Sequence, residues 1–86
     1  MKNIKLLGLE AACGTSSGNG SNFGSSRLVR LVNDSTTNRL VTLETSANAT
    51  IGTFTLVGGE VAYLKKGKTD EIFAANAAVK GVGVGF

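Results

Sequence analysis

Arg27-Leu28-Val29-Arg30-Leu31-Val32-Asn33, then Asp34-Ser35-Thr36-Thr37-Asn38, then Arg39-Leu40-Val41-Thr42-Leu43-Glu44-Thr45 is the passage on which the fold turns. Both flanking runs alternate with period two, the spacing that sends successive side chains to opposite faces of a strand. In the first run Val29 and Leu31 face one way and Leu28, Arg30 and Val32 the other. In the second, Val41 and Leu43 are the inward candidates, with Thr42 and Glu44 outward. The Asp/Ser/Thr/Asn segment between them supplies side chains that hydrogen-bond their own backbone in turns. A hairpin is the expectation.

Further along, Ile51-Gly52-Thr53-Phe54-Thr55-Leu56-Val57 places Gly52, Phe54 and Leu56 on one face and Thr53 and Thr55 on the other. Gly58-Gly59 punctuates the chain, since glycine reaches positive φ without steric cost. Glu60-Val61-Ala62-Tyr63-Leu64-Lys65 reads as another strand, running into a basic turn at Lys65, Lys66 and Lys68 that is expected to be a solvated tip. Thr69-Asp70-Glu71-Ile72-Phe73-Ala74-Ala75 is ambiguous: Thr69 or Asp70 could cap one helical turn, but the run is too short for a stable helix.

The chain closes on Val79-Lys80-Gly81-Val82-Gly83-Val84-Gly85-Phe86, a strand with Val82, Val84 and Phe86 on one side and only glycines opposite. That bare side implies either close approach of another backbone or an edge that pairs with a partner. Phe23, Gly81, Val82, Gly83, Val84, Gly85 and Phe86 are accordingly the candidate partner-interface residues.

Upstream of the opening passage, residues 2–9 read as a strand with both faces partly apolar. Residues 11–26 form a Gly/Ser/Asn-rich loop or arm whose one large side chain, Phe23, pins it to the domain or to a neighbour. About seven short strands with turn signals every eight to twelve residues point to an all-β fold. The expected architecture is a small single-domain antiparallel β-sandwich or barrel spanning residues 1–86. No helix-length crossover exists for a parallel arrangement.

Composition narrows function by exclusion. The 86 residues contain one cysteine, Cys13, and no histidine, so an internal disulfide is impossible, and Cys/His zinc sites and histidine-based nucleophilic centres lack their parts. Cys13 has no neighbouring cation to activate it and reads as a packed thiol. The residues 14–20 lack the Gly-Lys-Ser/Thr ending of a phosphate loop. Asp70-Glu71 is too lean in oxygen ligands for calcium. No enzyme activity, cofactor or metal is expected. The net charge of +3 is scattered rather than gathered in a stripe, so nucleic acid is not the expected partner. No segment approaches the ~20 apolar residues of a membrane helix, and Glu10 interrupts the apolar start too early for a signal peptide. A chain this small and without a disulfide often gains stability by oligomerising.

Residues 27–86 resemble a group of very small virion proteins of tailed bacteriophages, especially those of marine cyanobacterial hosts. The resemblance is carried by the 27–33 run, by Ile51-Gly52-Thr53-Phe54-Thr55-Leu56 leading through Gly58-Gly59-Glu60-Val61 to Leu64-Lys65-Lys66, by Lys68-Thr69-Asp70 with Ile72 and Ala74-Ala75, and by Ala78-Val79-Lys80-Gly81-Val82 to Phe86. In that group a proline often precedes the Thr-Asp pair, where this chain has Lys68. The resemblance implies a non-enzymatic structural protein located in the virion. Foremost is a capsid decoration or cement protein bound as a homo-oligomer to the major capsid protein or to neighbouring virion subunits. A head-tail connector, neck or tail component is the alternative. From residues alone, a ligand-binding β module using Tyr63 or Phe23 and a nucleic-acid-binding module using Arg27, Arg30, Arg39 and the lysine turn stay open.

Overall fold

A computed structural model describes residues 3–85. These residues build eight antiparallel strands: β1 (Lys5–Leu6), β2 (Ala11–Ala12), β3 (Leu28–Asn33), β4 (Arg39–Glu44), β5 (Thr50–Leu56), β6 (Val61–Lys65), β7 (Glu71–Ala74) and β8 (Val79–Gly85). The fold is all-β in two sheets, and among the described residues there is no helix. One sheet runs β1-β8-β3-β6, with β2 also on β8; the other runs β5-β4-β7.

The alternating residues explain the layers. Val29 and Leu31 from β3, Val79 from β8, Val41 from β4, Leu56 from β5 and Ile72 and Ala74 from β7 are completely buried and form one core with Cys13. Each sits at a period-two position whose strand neighbour points away from the core, so the sandwich follows from binary patterning.

The expected hairpin does not form. β3 pairs with β6 and β8, whereas β4 pairs with β5 and β7, so residues 34–38 carry the chain from one sheet to the other. Asn33, fully buried, explains the arch. Its Nδ2 donates to the carbonyls of Thr37 and Leu56, both at 2.8 Å, and its Oδ1 accepts from Ser35 Oγ at 2.6 Å. These bonds tie the end of β3 to the turn and to β5 in the opposite sheet. Turn chemistry marks where a chain reverses and is silent on whether the reversal stays within one sheet.

Three further expectations change. The first strand is confined to Lys5–Leu6, and Lys2 lies outside the described residues. The segment that could have capped a helical turn is β7. The loop at 11–26 opens with β2 and then joins the second sheet, through bridges from Gly14 to Phe73 and from Ser21 to Ile72. The loop therefore closes one side of the sandwich, passing from β8 in the first sheet to the β7 edge of the second.

Glu44, expected outward, has no exposed surface because that loop covers it. Its carboxylate accepts from Ser17 Oγ at 2.8 Å and from the Gly18 amide at 3.1 Å. A buried carboxylate needs such donors to offset its lost hydration.

Candidate interaction surface

β8 is an interior strand, flanked by β1 and β2 on one side and β3 on the other. Its glycine side receives the chain's own loop. A β-carbon on Gly81 would lie 2.9 Å from both Leu31 Cδ2 and Phe23 Cζ; one on Gly83 would collide with Ser26 Oγ and stand 3.0 Å from the Phe23 carbonyl oxygen. Two of the three consecutive left-handed residues in this loop are not glycine: Phe23 at φ 52°, Gly24 at 70° and Ser25 at 60°. Left-handed backbone costs a non-glycine residue roughly 1–2 kcal/mol, and local bonds hold it here. Ser26 N–H donates to Asn22 O at 3.3 Å, Ser25 N–H to Asn22 Oδ1 at 3.2 Å, and Ser26 Oγ to Phe23 O at 2.6 Å. The left-handed turn delivers the Phe23 ring onto Gly81, so the missing side chains are the seat of this turn.

The opposite side of β8 belongs to the outer face of its sheet. Register places Leu6 beside Val84, Val82 beside Arg30 and Arg30 beside Tyr63, with Val32 beside Val61. Val82 and Val84 are 4% and 3% exposed, screened by these neighbours. Accessible apolar surface lies around them instead: Leu6 is 64% exposed, Leu9 93% and Tyr63 50%. Val61 is exposed as well, whereas exposed Leu7 turns to the glycine side, beside Gly85. Ile4, Leu6, Leu9 and Val82 line an open groove, bounded by Glu10 and Arg30. An ion pair of 3.4 Å between Glu10 and Arg30 holds the N-terminal segment at its rim.

Of the residues expected at a partner interface, Phe23, Gly81 and Gly83 thus meet one another within the chain. Val82 and Val84 form the floor of the outer face, Gly85 is partly covered, and Phe86 lies outside the described residues. Leu6, Leu7 and Leu9, which carry the most exposed apolar surface, were not singled out by pattern. The available signal was that apolar residues occupy both faces of residues 4–9, more than a two-residue ladder buries.

Cys13 is buried and free, and burial pushes its thiol up to about 12, against a lesser pull from a backbone hydrogen bond. No group of three or more Cys, Asp or Glu side chains among the described residues could hold a metal. Lys66, expected in a solvated tip, is folded back and buried, its Nζ donating to the carbonyls of Gly67 at 3.1 Å and Lys68 at 3.4 Å. Desolvation lowers its pKa, with Asp70 opposing. A side chain spent on its own turn has little charge to offer a phosphate. Comparison of the chain with protein-family models, curated proteins and solved structures returned no match.

Proposed function

We propose that this protein is a non-enzymatic structural subunit of a phage particle, a decoration or cement protein that seats on the major capsid protein through the outer face of the β1-β8-β3-β6 sheet. The observation that carries this reading is the concentration of exposed Leu6, Leu9, Val61 and Tyr63 on and beside that one face. Exposed apolar side chains gathered on one face mark a site of association in a small domain. The resemblance of residues 27–86 to small virion proteins supplies the setting. Of the cations on this face among the described residues, Arg30 is engaged by Glu10 and Lys80 by Asp34, leaving Lys65, a balance that favours a protein surface over a phosphate backbone.

Quantitative mass spectrometry of purified particles tests the role. Hundreds of copies per particle are expected; about a dozen would move the chain to a connector ring, as ring symmetry requires, and absence would overturn the reading. The face is tested by Leu6→Asp with Leu9→Asp, which should leave the fold intact and abolish rebinding to particles stripped of the protein.

A further inference from the structure

Four strand edges border the two sheets, and three are guarded. The β7 edge is bridged by Gly14 and Ser21. The edge beyond β8 is split into two two-residue strands, β1 with Lys5 and β2. The β6 edge carries Lys65 and runs into Lys66 and Lys68. Short strands, covering loops and lysines are the usual means of preventing edge-to-edge pairing.

The β5 edge has none of these. It is seven residues long, Thr50–Leu56, and exposed over nearly its whole length. No charged residue occurs anywhere in residues 45–59, between Glu44 and Glu60, and there is no proline. Threonine, isoleucine and phenylalanine give it strong β-propensity. Such an edge is a pairing template.

Its free backbone groups can be assigned. The Ala75 amide donates to Leu40 O, so the even-numbered residues of β4 bond to β7. The odd-numbered Arg39, Val41 and Leu43 then bond to their β5 partners Leu56, Phe54 and Gly52. Thr53 and Thr55 are left with amides and carbonyls directed away from the sheet.

We infer that β5 pairs antiparallel with β5 of a second copy of this chain, with Thr53 on the two-fold axis. A two-fold contact sets each residue against a residue of the same strand, so a charged strand would oppose its own charge, and this one carries none. In that register Phe54 lies across from Gly52 of the second copy on the core-facing side. Phe54 is only partly buried, and a β-carbon at Gly52 would meet nothing within 4 Å. Each ring thus covers the open glycine of the other copy, a self-complementary arrangement known to stabilise edge glycines. The two three-stranded sheets become one continuous sheet. The inference is independent of the role in a particle, because it uses a different sheet and is tested on the isolated protein.

Sedimentation equilibrium of the full chain at tens of micromolar reads the outcome. A dimer of the 8.8 kDa chain is expected. A monomer at every concentration overturns the inference and leaves the edge to a strand of a different protein. Thr53→Pro removes only the outward amide, and Thr53→Lys places like charges against each other on the axis; both should give a monomer with an unchanged circular dichroism spectrum. Persistence of the dimer in a folded variant overturns it. Should both variants unfold, hydrogen exchange in the wild type decides: the Thr53 amide should be protected at high concentration and lose protection at least tenfold on dilution, whereas concentration-independent exchange refutes the pairing. Thr53→Cys should form an intermolecular disulfide under mild oxidation, and a dimer that does not cross-link refutes the register.

Discussion

Gly83 has no room for a β-carbon, and the atom in its way belongs to Ser26, whose hydroxyl is committed to Phe23 O. Gly83→Ala is expected to cost about 2–3 kcal/mol in urea unfolding, as overpacking generally does. Gly8→Ala, with nothing near its β-carbon, should change little. Ser26→Gly should recover part of the loss in a double-mutant cycle, because it removes the colliding side chain. A second test at this scale concerns Cys13. Its thiol keeps its proton in the folded protein up to about 12, while the unfolded chain releases it near 9.0. Above the lower value the unfolded state binds fewer protons, so stability should fall as pH rises, by about 1.4 kcal/mol per unit across that window. In the native protein at pH 8, a thiol reagent should find Cys13 unreactive; rapid labelling without denaturant would contradict its burial.

At the scale of elements, the arch at 34–38 and the loop over Glu44 each depend on one buried polar side chain. Asn33→Ala removes the Nδ2 bonds to the Thr37 and Leu56 carbonyls and the acceptor of Ser35 Oγ, and should cost about 1–3 kcal/mol by thermal unfolding, because three bonds that tie the arch together are lost at once. Glu44→Ala should loosen residues 14–20 from the sheet, seen as faster protease cleavage there with the β3 amides still protected. Strand positions and inner faces were legible because alternation reports them directly: Val29, Leu31, Val41 and Leu56 fall inside as their spacing requires. The burial of Glu44 and Lys66 was not legible, because each depends on a distant or folded-back segment supplying partners. The left-handed turn at Phe23 was hidden as well, since Phe23 and Ser25 are poor sequence markers of positive φ. For the candidate surface, the sequence located the terminal strand correctly but could not say which neighbours would cover it.

For the whole molecule, β8 joins the N-terminal strands to β3, so removing residues 82–86 should abolish cooperative unfolding in calorimetry. The arch that stands in place of the expected hairpin has a wider consequence. From β3 onward, only the β4–β5 link joins strands that are neighbours in one sheet; every other link crosses the sandwich. Almost no pairing is therefore local, and such topologies fold in milliseconds to seconds rather than microseconds. During synthesis β3 must wait for β6 and then for β8, made some fifty residues later. The nascent chain thus cannot complete the β1-β8-β3-β6 sheet until residues 79–85 have cleared the ribosome, although β5-β4-β7 has all its strands by residue 74.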